Sequence, residues 1–408
     1  MKTHPGMISS TPGGTISTET AARQGARDVL SGSWREADGF CPPNPTVYPH
    51  QWLWDSCFQA IAWAALDDAR AARELESCLS GALESGFVPH MRYLGPSSGR
   101  GPLAQTSSFT QPPIYAHAAR YLLDRGLRVD TAPIEAGLDW LWDSRLTDDG
   151  LVVIVHPWES GSDDSPRWDS WVGLTDYDHA ASSAWDRDLV AATDFDSFGA
   201  AVWSSDFVCA PAAFNSFVAH AAAETYHLTR DPLWERRSKE LAAAIDVHLW
   251  DESTGLWIDK AIVGGGDSVT IPTLDGVLGA LCTDNAGKAE RALAHLSDPG
   301  MFGTAHGLAF VPPAHDRYDP NEYWRGPAWP QLNYMAGVAA RRWGNEGLYQ
   351  DIARKSVHAA LESGFSEYWN PETGRGLGAI PQGWAALAAT YSSEVAALEQ
   401  RPKGEPSR

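Results

Sequence analysis

Apolar side chains recur along this chain with a helical period. Trp54, Phe58, Ile61, Ala62 and Ala65 fall at i, i+4, i+7, i+8 and i+11, the spacing of one helix face, and Phe214, Phe217, Val218 and Ala221 repeat it. Alternation of the strand type is scarce, and its best example is the short run Leu151–Val155. The first residues are rich in Thr, Ser, Gly and Pro, and the last ones mix charge with Pro and Gly. The pattern therefore predicts mobile tails at 1–17 and 399–408 around one helical domain at 18–398.

A weak internal repeat says more than propensity does. A helix-like run followed by a turn occurs at Leu138–Trp142 with Thr147–Gly150, at Leu241–Trp250 with Asp251–Gly255, and at Val357–Gly364 with Tyr368–Gly374. If a helix and its connection occupy roughly 25 to 30 residues, each interval holds about two helical hairpins and the chain about six. Six hairpins closed in a ring make an all-α (α/α)6 toroid. An open solenoid is the alternative, but its repeats would be shorter and more alike.

Composition narrows the class. Against 31 Lys and Arg stand 52 Asp and Glu, a net charge of −21, which argues against nucleic-acid binding because phosphate neutralisation needs a basic face. No apolar leader and no run long enough to span a bilayer is visible, so the expectation is a soluble cytoplasmic protein with no membrane partner. Five scattered cysteines form no CxxC pair and no Cys/His cluster at zinc spacing, so they read as buried free thiols, and neither a metal nor a cofactor is expected. There is no GxSxG, Walker A, HExxH or GxGxxG motif. The unusual feature is 19 Trp, more than the 12 Tyr or 12 Phe, which suggests a lined cleft as well as a core.

Aromatic and polar residues crowd at particular loops. Tyr48, His50, Gln51, Trp52, Trp54 and Asp55 precede or open an apolar helix, with flat faces for sugar C–H surfaces and polar groups for hydroxyls; Asp55 alone also reads as a helix cap. Smaller clusters lie at Gly86–Tyr93, with His90, and at Thr110–Tyr115, with Gln111. Glu159, Asp163, Asp164 and Asp169 fall in one loop broken by Gly and Pro and flanked by Trp158 and Trp168. Such a loop suits a general acid pressed against an apolar wall, while a solvated acidic turn or a cation site remain alternatives. Glu367 stands beside Tyr368 and Trp369, and Glu322 and Arg325 stand among Tyr323, Trp324 and Trp329. Arg325 there either orders a carboxylate, binds a hydroxyl or stacks on an indole. Paired carboxylates in a Trp-lined funnel leave glycoside hydrolysis as the leading reaction class.

At these residues the chain resembles glycoside hydrolase family 63, in particular its small bacterial hydrolases of glucosylglycerate and mannosylglycerate. The stretches are HQWLWDSCF at 50–58, GFVPH at 86–90, TQPP at 110–113, ESGSDDSPRWD at 159–169, YWRGPAW at 323–329 and EYWNPETG at 367–374. The resemblance implies an (α/α)6 barrel and an inverting α-glycosidase without cofactor, with Asp163 as general acid and Glu367 as general base. It also implies a sugar pocket formed by Tyr48, Trp52, Trp54, Asp55, His90, Gln111, Tyr323, Trp324, Arg325, Gln382, Gly383 and Trp384. Two departures stand out. Ser162 and Asp164 flank the acid, which makes Asp164 a rival for its proton, and 176–197 offers only Tyr177 and Arg187 where relatives clamp a glycerate carboxylate. The expected substrate is therefore a small α-glucoside or α-mannoside, either glucosylglycerate/mannosylglycerate-like or a neutral oligosaccharide. Two other classes stay open: a sugar epimerase using His50 and His90 as proton shuttles, and a non-catalytic carbohydrate-binding protein.

Overall fold

The computed structural model describes residues 17–95, 99–391 and 395. The tails expected at 1–17 and 399–408 lie outside it, except for Ser17, whose Oγ accepts from the Thr20 amide and caps the first helix. The helices in chain order are α1 (Thr18–Ser33), α2 (Leu53–Ala65), α3 (Arg70–Leu79), α4 (Tyr115–Leu123), α5 (Ala132–Arg145), α6 (Asp169–Val172), α7 (His179–Ala191), α8 (Ala212–Thr229), α9 (Pro232–His248), α10 (Ala286–Ala294), α11 (Pro330–Arg342) and α12 (Glu346–Glu362). Two further inner segments, Leu274–Leu281 and Gly383–Leu387, wind as 3-10 helices.

Their contacts close a ring. α2 packs on α4, α4 on α8, α8 on Leu274–Leu281, that segment on α11, α11 on Gly383–Leu387, and the last returns to α2. Outside this ring α3 backs α2, α9 backs α8, α10 backs Leu274–Leu281, α12 backs α11 and α1 backs Gly383–Leu387, while α5 follows α4 in the chain and leans on α8. The result is the expected (α/α)6 toroid. α2 shows why it closes: every residue from Leu53 to Ala65 is buried, so this helix is enclosed on all sides and cannot sit at a surface.

The repeated turn has a clear structural meaning. Each outer helix that carries it is followed by antiparallel pairing: a single bridge from Leu146 to Val152 after α5, and two-residue ladders of Trp250 with Trp257 after α9 and of Tyr368 with Leu377 after α12. Trp142 and Trp257 serve packing, the first edge-on to Trp234 at 6.2 Å and the second against Trp250 at 4.7 Å. The run Leu151–Val155 is buried but forms isolated bridges instead of a strand. Its Val152 amide donates to the Asn215 side chain, which leaves no continuous ladder. All five cysteines are free and buried. No described helix is long and apolar enough to cross a membrane.

Candidate active site

The N-terminal approaches of α2, α4, α11 and Gly383–Leu387 converge on one cavity of about 330 Å3. Trp52 pairs with Met91 across a two-residue ladder, which delivers Trp54 and Asp55 into the first turn of α2. Gln111 precedes α4, Tyr323 and Trp324 precede α11, and Gln382 and Trp384 open the last inner segment; all of them line the cavity with Tyr48, Asp163 and Glu367. The volume suits one sugar ring with a small aglycone.

The four carboxylates of the acidic loop have four different fates. Glu159 is fully buried in a two-pronged pair with Arg145 (2.8 and 2.9 Å) and also accepts the Thr110 and Val155 amides. Asp169 is clamped by Arg325 at 2.6 and 2.9 Å. Asp164 turns away from the cavity and accepts from the Tyr177 hydroxyl at 2.9 Å, with the His179 ring at 3.3 Å. Asp163 alone lines the main cavity. Burial first, then the negative charges of Asp186 and Asp164, push its carboxyl well above the usual carboxylate range, against an opposing pull from Arg100.

Glu367 is held differently. Its Oε1 accepts from the Tyr48 hydroxyl at 3.0 Å and its Oε2 from the Ala379 amide at 2.8 Å, while Trp384 donates to its backbone carbonyl. Burial lifts its pKa to about 7, and the two donors hold it from rising further. Gly378 makes this grip possible: it sits at φ +68°, and a Cβ there would lie 2.4 Å from Glu367 Oε2. Asp55 is not a helix cap, because no side chain caps α2. It is buried near Gln382, and burial together with the Glu367 charge raises its pKa well above the usual range.

The tryptophans form a continuous wall. Trp324 stacks on Trp329 with centroids 3.6 Å apart, Trp329 on Tyr368 at 4.5 Å, and Trp54 meets Trp384 edge-on at 5.7 Å. Trp168 and Trp369 do not line the cavity: Trp168 packs on Phe207, and Trp369 sits in a small cluster with Ala328 and Ala359.

Three residues expected in the sugar pocket do not reach it. His90 is buried behind Trp52 (5.4 Å between ring centroids), and its Nδ1 faces the Phe109 carbonyl at 3.0 Å. Gly383 is a packing residue: its amide donates to Pro43 O, and a Cβ would lie 2.0 Å from Gln59 Nε2. Arg325 orders a carboxylate, one of the roles open to it, but that carboxylate is Asp169. Replacing Arg325 with Met would leave Asp169 buried with only the more distant Arg317 at 3.8 Å. The expected cost is about 3 kcal/mol of stability with KM little changed, read by denaturant unfolding beside kinetics.

Two functional neighbours escaped the sequence reading. Arg100 lines the cavity, 4.8 Å from the Trp158 ring, and exerts its charge on Asp163. It lies in a Gly/Ser/Pro loop with no recognisable pattern. Asp186, on α7, accepts from the Trp158 indole at 3.1 Å, and its pKa is raised to about 7, chiefly by burial. On the sequence it is one of several alternating charges of a helix face.

Carboxyls of high proton affinity facing an indole-walled, sugar-sized pocket at the mouth of an (α/α)6 toroid are the equipment of a glycoside hydrolase. The chain belongs to the mannosylglycerate hydrolase MGH1-like glycoside hydrolases of family 63, whose domain model matches residues 48–385. It is 30% identical to the mannosylglycerate hydrolase of Thermus thermophilus over 90% of this chain and 99% of that protein. It is 28% identical to the glucosylglycerate hydrolase of Mycolicibacterium hassiacum over 84% of this chain and 92% of that one. A crystal structure of the family 63 mannosylglycerate hydrolase from Thermus thermophilus in complex with Tris and D-glycerate superposes with a TM-score of 0.76 at 27% identity, covering 91% of this chain and 100% of the other.

Proposed function

We propose that the protein is an inverting α-glycosidase for a small α-glucoside or α-mannoside with an anionic aglycone, glucosylglycerate or mannosylglycerate being the first compounds to try. Asp163 is the general acid and Glu367 the general base. The observation that carries this assignment is the contrast between two carboxyls in one cavity. Asp163 has carboxylate neighbours that favour its protonated form, whereas Glu367 has two hydrogen-bond donors that favour its ionised form. Asp163 then gives its proton to the glycosidic oxygen as the C1–O bond breaks. Glu367 takes a proton from the water that attacks C1, and solvent afterwards returns both groups to their starting states.

The epimerase reading needs two histidines facing one sugar. Only His50 of the pair lines the cavity, and its Nδ1 accepts from the Leu94 amide. A binding protein without catalysis has no need of two carboxyls tuned apart.

The acid limb of kcat/KM should follow Glu367. Activity rises as the pH climbs through about 7 and the base ionises, then falls on the alkaline side where Asp163 loses its proton. A profile flat across this range would remove Glu367 from the base role.

Among the described residues, Arg100 is the only Arg or Lys that lines the cavity, in a chain of net charge −21. This supports Arg100 as the group that receives the aglycone carboxylate. Arg100→Met should raise KM for glucosylglycerate or mannosylglycerate by at least tenfold, about 1.4 kcal/mol, while sparing a neutral aryl α-glycoside. Equal losses on both substrates would reassign Arg100 to general support of the acid.

A further inference from the structure

A second set of cavities opens elsewhere on the barrel, and no residue lines both it and the candidate active site. Glu224 and His227 are common to its two lobes, of about 580 and 510 Å3. Between them, His117 from α4 meets His220 and Glu224, which stand one helical turn apart on α8. One ligand atom from each of the three lies within 4.8 Å of the other two. His117 Nδ1 is 3.1 Å from His220 Nε2, and the same Nε2 is 3.8 Å from Glu224 Oε1.

These distances have a chemical meaning. Two nitrogens bound to one tetrahedral zinc at roughly 2.0 Å stand about 3.3 Å apart, close to the observed His–His separation. The far side of the first ring is already fixed, with His117 Nε2 3.1 Å from the Tyr334 hydroxyl. If Nε2–H donates to that hydroxyl, the Nδ1 lone pair is left pointing at His220, the arrangement that orients a metal-binding imidazole. Two of the nearby cations have carboxylate partners of their own: Arg120 pairs with Asp124 at 2.9 Å and Arg342 with Asp284 at 3.2 Å.

We propose that His117, His220 and Glu224 form a binding site for a zinc-type divalent transition metal, with two nitrogen ligands, one carboxylate and a further position open to the cavity. The ion would pin α4 to α8, two adjacent members of the inner ring. This role is separate from hydrolysis, and the spacing of 103 residues between the two histidines hid the site from any sequence motif.

The test uses the full chain, stripped with chelator and then titrated with Co2+ and Zn2+. One equivalent of Co2+ should bring up the intense visible d–d bands of a four-coordinate ion, and one equivalent of Zn2+ should abolish them. Glu224→Gln should weaken Zn2+ binding by about tenfold or more, and His220→Gln should remove the cobalt bands. Zn2+ should raise the Tm of the parent protein and not that of His220→Gln, while metal-free activity stays the same in all three. Circular dichroism and that activity establish that the variants fold. Absence of the cobalt bands in the folded parent, or equal Zn2+ affinity in parent and both variants, overturns the site.

Discussion

Glu367→Gln should reduce kcat by about three to four orders of magnitude while leaving the affinity for substrate within a few fold, the loss expected when a general base is removed from an assembled site. The side chain keeps its shape, and its carbonyl can still accept from the Ala379 amide, so the pocket remains formed. The same variant should be more stable than the parent at neutral and alkaline pH. In the fold the Glu367 carboxyl titrates at about 7, above its ordinary 4.5, so ionising it costs more in the folded than in the unfolded chain. The stability difference is therefore small below pH 4.5, grows between pH 4.5 and 7, and is constant above, where it reaches the order of 1–3 kcal/mol. Kinetics and thermal unfolding across pH check both halves. An active Gln variant, or one no more stable than the parent at about pH 8, would remove the basis for the assignment.

Asp163→Asn should be equally damaging for a glycerate leaving group, which departs as an alkoxide without proton donation, with a loss of about 10²–10⁴-fold in kcat/KM. The loss should shrink sharply for a glycosyl fluoride, whose leaving group needs little protonation, and the alkaline limb of the pH profile should disappear. That dependence on leaving group separates an acid from a residue that merely shapes the pocket. Asp164→Asn is the control. Asp164 is engaged by Tyr177 and His179 outside the main cavity, so its loss should move the alkaline limb, through the charge it places on Asp163, without abolishing turnover.

Much of the architecture was legible in the chain because helical periodicity is a local signal. The stripe from Trp54 to Ala65 became α2, and the three helix-and-turn repeats became outer helices, two followed by short ladders and one by a single bridge. The two 3-10 inner segments were not legible. In Leu274–Leu281 a Cβ on Gly279 would lie 2.3 Å from the Trp257 ring, a tertiary approach that leaves no local trace. In the site, residues that announce themselves by aromatic company, such as Trp54, Asp163 and Glu367, came together in the cavity. His90 and Arg325 had similar company in sequence, yet their side chains are spent behind the wall on Phe109 and Asp169. Arg100 and Asp186 act through proximity to Asp163, which arises only on folding.

In the proposed mechanism Asp163 and Glu367 deliver a proton and a water in a single displacement at the anomeric carbon. The most direct test is proton NMR of the first sugar released from α-glucosylglycerate or α-mannosylglycerate, before mutarotation sets in. The β-anomer should appear first and the α-anomer only as mutarotation proceeds; release of the α-anomer first would show retention and contradict the account.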